Sequence, residues 1–166
     1  MSKFKRPRVS IEKLKELLSY DPDTGLFIWK ISKGKGYAGN VAGNQNSLGY
    51  LETSIGGTHY LLHRLAWFYV YEKWPDQDID HINGIKSDNR ISNLRDVSKS
   101  VNRQNLKKPV AGNSSGMLGV MAIGNKFRAQ IGIDGKPTYL GHFNTPDEAH
   151  QVYLEAKRKH HEGNTL

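Results

Sequence analysis

The chain contains no cysteine. Disulfide scaffolds and cysteine-based zinc sites are therefore excluded, and no structural zinc is expected. Long apolar runs are absent too. No stretch approaches the roughly 20 residues that a membrane span requires. The basic start Met1-Ser2-Lys3-Phe4-Lys5-Arg6-Pro7-Arg8 is not followed by the apolar core of a secretion signal. These absences lead us to expect a soluble cytoplasmic protein with no membrane partner and no small-molecule cofactor. Acidic residues are scarce in one place: no Asp or Glu occurs between Asp96 and Asp134. Lys99, Arg103, Lys107, Lys108, Lys126 and Arg128 all fall inside that interval. The formal net charge is +8 and the pI about 9.6. Such a surplus points to a polyanionic partner, most often nucleic acid, with a merely solvated basic surface as the alternative.

Length allows one medium domain or two small ones. Ser10 can cap a short helix whose apolar face is Ile11, Leu14, Leu17 and Leu18. Asp21-Pro22-Asp23-Thr24-Gly25 is a turn, and Leu26 to Trp29 reads as a strand. Residues 32–49, rich in Gly, Asn and Lys, read as a loop. Tyr50 to Ile55 and Thr58 to Leu62 form a predicted hairpin around Gly56-Gly57. His63 to Lys73 reads as a helix with Leu65, Trp67, Phe68 and Tyr71 turned inward, ended by Trp74-Pro75. Then come a strand at Ile79–Ile82, a turn at Asn83-Gly84 and a loop to Asn93. An extended segment Leu94–Val97 and a helix capped by Ser98 and reaching about Asn105 complete the run. Residues 107–116 have linker composition, small, polar and broken by Pro109 and Gly112. Beyond them three strands are expected near 117–123, 126–133 and 137–143. Thr145-Pro146-Asp147-Glu148 then carries the capping-box signature of a last helix with Ala149, Val152, Tyr153 and Ala156 inside.

The chemistry concentrates in Asp80-His81, followed by Asn93 and Asn102. Phosphodiester hydrolysis needs an activated water, charge stabilisation at phosphorus and help for the leaving oxygen. An imidazole with an unperturbed pKa of about 6.5 is mostly neutral in the cell and can take a proton. General-base help is typically worth roughly 10²–10⁴ in rate. Carboxylate and amide oxygens, offered by Asp80 and Asn102, suit a hard divalent ion. On a strand Asp80 and His81 point to opposite faces. Taken singly, these residues could also be a turn-capping pair among ordinary turn formers. His63 is either a helix-start residue with a satisfied ring or an active-site helper. Arg64, Arg90 and Arg95 either bind phosphate or brace carboxylates. Adjacent His160 and His161 do not share a helix face, so they read as charge at a helix C-terminus.

The stretch Asp80-His81-Ile82-Asn83-Gly84, Asp88-Asn89-Arg90, Asn93-Leu94-Arg95 and Asn102 closely resembles the HNH nuclease family with its ββα-metal finger. Tyr20-Asp21-Pro22-Asp23-Thr24-Gly25-Leu26-Phe27-Ile28-Trp29-Lys30 and His63-Arg64-Leu65-Ala66-Trp67 resemble the phage and intron-encoded homing branch of that family. The resemblance implies His81 as general base, Asp80 and Asn102 as ligands of one Mg²⁺ or Mn²⁺, and Asn93 as the residue that ties the loop and helps orient His81. Gly119-Val120, Phe127-Arg128-Ala129-Gln130-Ile131 and Tyr139-Leu140-Gly141-His142-Phe143 resemble the Apetala/ethylene-response-factor DNA-binding domain, as do Glu148-Ala149, Tyr153 and Ala156. Phe127 stands where that family usually has Trp. The likeness implies a three-stranded sheet braced by a helix, with Arg128, Gln130 and Tyr139 facing DNA and Lys126 and Lys136 near phosphates.

The expected fold is α+β: a ββα-metal HNH nuclease domain, residues 1–106 with its core at about 78–106, a linker at 107–116, and a small antiparallel sheet packed on one helix at 117–166. The expected activity is metal-dependent endonuclease cleavage of double-stranded DNA, nicking or cutting both strands, by a monomer or weak dimer. DNA-binding positions are Arg64, Arg90, Arg95, Lys99, Arg103, Lys107, Lys108, Lys126, Arg128, Gln130, Lys136 and Tyr139. A non-catalytic, sequence-specific DNA-binding protein with an idle nuclease fold is the alternative.

Overall fold

A computed structural model describes residues 8–32, 37–106, 109 and 112–165. Lys107 and Lys108, much of the expected linker and most of the basic N-terminal tail lie outside the described residues. Residues 1–96 and 97–166 form two compact units. The division falls ahead of the helix that sequence grouped with the first domain.

In the first unit, Ser10 caps helix α1 (Ile11–Leu17) through its hydroxyl, which accepts from the Lys13 amide. The chain then forms β1 (Leu18–Tyr20) and β2 (Phe27–Trp29), paired antiparallel. Strands β3 (Asn44–Gln45), β4 (Leu51–Ile55) and β5 (Thr58–Leu61) make a second antiparallel sheet. Thus the expected loop at 32–49 contains a short strand, and Val41 bridges Ile28. The Gly- and Asn-rich sequence there lacks alternation, and pairing with neighbours supplies the order instead. Helix α2 (Leu62–Tyr71) follows directly. Leu62, Leu65 and Ala66 are buried on one face against Leu14, Leu17, Leu18 and Phe27. Each fully buried Leu or Phe here contributes about 1.5–3 kcal/mol. Tyr71, expected inside, is 53% exposed. Nine residues after Leu62 it falls half a helical turn away, on the solvent side.

Strand β6 (Asp78–His81) pairs with β7 (Leu94–Val97), and a 3₁₀ turn, Ile91–Asn93, leads into β7.

The second unit opens with α3 (Lys99–Gln104), capped by Ser98. It continues as β8 (Val120–Ile123), β9 (Lys126–Ile133), β10 (Lys136–Phe143) and α4 (Pro146–His160). β9 is the central strand, antiparallel to both neighbours. Thr145 and Glu148 form the full capping box of α4. Val120, Ala129 and Ala149 make the core, with Phe127, Leu140 and Phe143 packed around it. Gly119 is required there: a Cβ would sit 2.0 Å from the Tyr153 ring. Of the expected inner face of α4, Ala149 and Tyr153 are buried while Val152 and Ala156 are half-buried. Lys157, one turn beyond Tyr153, is buried and donates to the Leu106 carbonyl at 2.6 Å. Both units are mixed helix and strand with small antiparallel sheets, an α+β architecture.

Candidate active site

β6 carries Asp80 and His81 side by side, 6% and 4% exposed. Their side chains go to different partners, as strand alternation requires. Asp80 Oδ2 accepts from Arg95 Nε at 2.8 Å and Nη2 at 2.7 Å, so the neighbouring strand supplies the counter-charge for a buried carboxylate. An ionised carboxylate taken out of water needs such a partner. His81 Nε2 lies 3.2 Å from Asn89 Oδ1, in the loop between the two strands.

That loop is closed by a tight polar network. Asn93 Oδ1 accepts from the Asn83 amide at 2.9 Å. Its Nδ2 donates to Asn83 Oδ1 at 3.0 Å and to the Asp88 carbonyl at 2.8 Å. The Asn83 side chain donates in turn to Asp88 Oδ2 at 2.7 Å. Arg90 grips both oxygens of Asp88, at 2.8 and 2.6 Å. The Arg90 hydrogen bonds and charge hold the Asp88 carboxyl low, at about 2. Asn93 therefore links Asn83 and Asp88 across the loop. Contact with His81 belongs to Asn89, which sequence reading passed over. Its position, 1% exposed in a polar loop, carried no hydrophobic or periodic signal. The only available cue was its place between Asp88 and Arg90.

The first half of the unit holds Asn89 from outside. Tyr20 donates its hydroxyl to the Asn89 carbonyl at 2.7 Å, and the Ile91 amide donates to the Pro22 carbonyl at 3.2 Å. Gly25 (φ +73°) lets the Asp21–Gly25 turn lie against this backbone; a Cβ there would come 2.4 Å from the Arg90 nitrogen.

Aromatic rings flank His81. The His63 ring meets it edge-on, at 83° with centroids 5.1 Å apart. The Tyr50 ring lies 5.2 Å from His63 and 5.9 Å from His81. His63 is the second residue of α2, as expected, yet its ring is not satisfied: buried Nδ1 has no partner. Burial, then the neighbouring His81, push the His63 pKa down to about 3. Burial also lowers the pKa of His81, against an opposing effect of the Asn89 contact. Both imidazoles are consequently neutral at pH 7.

Arg64, Arg90 and Arg95 are occupied internally. Arg64 donates to the carbonyls of Gln77 and Pro75, Arg90 pairs with Asp88, and Arg95 pairs with Asp80. Asn102 lies on α3 in the second unit, half-buried. Lys126, Arg128 and Gln130 share one parity on β9, opposite that of buried Ala129 and Ile131. Across the strands, Gln130 faces Tyr139, and Arg128 lies between Met121 and His142. Arg128 sits 5.5 Å over the Tyr139 ring, and its buried Nε has no partner. The outer face of the sheet therefore gathers Arg128, Gln130 and Tyr139, with Lys126 and Lys136 exposed at the strand starts. His161, beyond α4, contacts the Gly132 carbonyl through Nε2 at 2.7 Å.

No group of three or more His, Cys, Asp or Glu suited to a metal occurs among the described residues. No helix among them is long and apolar enough to cross a membrane. A strand bearing adjacent Asp and His, a closed Asn-rich loop and a returning strand together define a small buried polar site. Residues 60–104 match a family model described as HNH endonuclease. This segment supports an HNH nuclease domain, with DNA as the substrate such a domain implies. It contains α2 and the sequence positions from Asp80 to Asn102. No curated protein and no solved structure matches the chain.

Proposed function

We propose that the protein is a metal-dependent DNA endonuclease of the HNH homing type, with His81 as general base. One observation carries the reading: a buried His81, fixed through Nε2 by Asn89, stands next to a buried Asp80 paired with Arg95, inside the segment that matches the HNH model. With Nε2–H donating to Asn89 Oδ1, the lone pair of the imidazole resides on Nδ1. Nδ1 takes the proton of a water as its oxygen attacks phosphorus. The P–O bond to the leaving sugar oxygen breaks, and that oxygen is protonated from solvent. Arg95 holds the Asp80 carboxyl in place, and Asn93 and Asp88 keep the loop shut so that Asn89 holds its place.

The donor chemistry fits a hard divalent ion: oxygen atoms from a carboxylate and an amide, with neither thiolate nor a histidine cluster. Asp80 and, on the motif alone, Asn102 would hold Mg²⁺ or Mn²⁺. Such an ion supplies charge stabilisation at the phosphate and the leaving oxygen. The outer face of the β8–β10 sheet, resembling an ethylene-response-factor domain, serves as the DNA-reading surface through Arg128, Gln130 and Tyr139. A sheet of this size can enter the major groove.

The test is cleavage of duplex DNA carrying the encoding locus, with Mg²⁺ or Mn²⁺. The wild type is expected to cut and the chelated protein not to. Tight site-specific binding with no cutting under either ion would instead identify a non-catalytic DNA-binding protein.

A further inference from the structure

Within the second unit, α3 is not a loose extension. The Gly163 amide donates to Gln104 Oε1 at 3.0 Å, and Lys157 Nζ reaches the Leu106 carbonyl at 2.6 Å. A Cβ at Gly163 would come 2.2 Å from the Val101 carbonyl oxygen. The segment after α4 is thus pressed onto α3 and fixes it relative to the sheet that α4 backs. Between α3 and the β9–β10 turn lies a groove of about 650 Å³.

The groove is cationic. Lys99 and Arg103, four residues apart, share one face of α3. Lys136, at the start of β10, is also in the lining, with Ser100, Gln104 and Gln130 as polar donors between. Asp134 is the single carboxylate of the lining. Lys99, Arg103 and Lys136 are exposed and, among the described residues, have no ion pair or side-chain hydrogen bond. Six ion pairs, from Lys13–Glu16 to Arg95–Asp80, lie in the first unit. Three unpartnered cations set along a fixed groove by two separate elements match a ligand with regularly spaced negative charges better than a single small anion.

We propose that the groove between α3 and the β9–β10 turn binds the phosphodiester backbone of a nucleic acid strand. α3 and the β8–β10 sheet then grip DNA as one surface. This deepens the nuclease reading and takes the identity of the polymer from it.

The experiment measures binding by fluorescence anisotropy across a KCl series. It uses the full chain carrying His81→Ala so that nothing is cut. The probes are a short duplex and one of its single strands. The triple variant Lys99→Ala, Arg103→Ala, Lys136→Ala should flatten the log–log salt dependence by about 2–3 on duplex, from about 0.9 per phosphate contact. It should flatten it on the single strand by somewhat less. All three side chains are exposed, so folding should be kept, and circular dichroism and melting temperature check it. The control, Arg158→Ala with Lys159→Ala, removes charge from the exposed end of α4. An effect confined to one probe assigns the groove to that form of nucleic acid. An unchanged slope in the triple variant on both probes overturns the proposal. So does a control that matches it charge for charge. Binding is read without cleavage, so a protein that binds through the groove and never cuts would defeat the nuclease reading alone. A wild type that cuts, with the triple variant's salt slope unaltered, would defeat the groove alone.

Discussion

The two units hold their positive charge in opposite ways. Residues 1–96 carry 14 Lys and Arg against 11 Asp and Glu; residues 97–166 carry ten against five. In the first unit the arginines near the site are committed: Arg95 to Asp80, Arg90 to Asp88, Arg64 to two carbonyls. In the second, Lys99, Arg103 and Lys136 have no partner among the described residues and Arg128 leans on an aromatic ring. A paired, half-buried guanidinium fixes geometry and responds weakly to salt. An exposed unpaired cation fixes nothing but attracts phosphate, steeply so at low salt. The proposed functions follow this difference in placement, general-base chemistry at His81 in the first unit and DNA grip in the second, although a count of charges treats both alike.

The comparison can be broken at several points. The largest expected effect is that of Asp80→Asn, which removes the anionic donor and leaves Arg95 without its counter-charge. Cleavage should fall by at least roughly 10²-fold, given the several kcal/mol a bound metal supplies, while DNA affinity stays within about twofold. Single-turnover rates and anisotropy separate the two. Asn89→Ala should follow. It releases the His81 ring from its fixed tautomer and should lower kcat by about 10²-fold, the scale of a 1 Å misplacement. KM should change little, and a raised KM with intact kcat would move Asn89 from positioning to binding. Arg128→Ala should do the reverse. It should weaken DNA binding by about tenfold, the lower end of a base-edge contact, and leave the rate at saturating protein intact. Loss of rate at saturation would erase the division between units.

The smallest effect concerns stability. His63 is depressed to about 3 in the folded protein and titrates near 6.5 when unfolded. Between those values the unfolded chain binds the extra proton. Folding is therefore fully favoured by this group above about pH 6.5 and loses support as pH falls toward 3. From pH 7 to pH 5 the loss is about 2 kcal/mol. His63→Phe, which keeps a ring against His81, should lose that much less over the same interval in urea unfolding. An identical pH dependence in both proteins would mean that His63 is already solvated.

Much of this was legible in sequence because it is local. The Ser10, Ser98 and Thr145 caps, the Gly56-Gly57 hairpin and the strands of the second unit depend on neighbours within a few residues. The alternation placing Arg128 and Gln130 opposite Ala129 and Ile131 is equally local. What sequence hid depends on long-range contact. Asn89 touches His81 because Tyr20, Pro22 and Gly25 press on it from about 65–70 residues upstream. Lys157 looks like one more cation in a basic helix end, yet it is buried against Leu106. The arginines could not be sorted until their partners were placed, since nothing in the type of residue distinguishes Arg95 from Arg128.

The most direct measurement is single-turnover cleavage of duplex DNA from the encoding locus in Mg²⁺, with wild type and His81→Ala at equal, saturating occupancy. A general base at His81 predicts equal binding by the two proteins and a cleavage rate lower by roughly 10²–10⁴-fold in the variant. Equal cutting by both would contradict the assignment of the chemistry to this site.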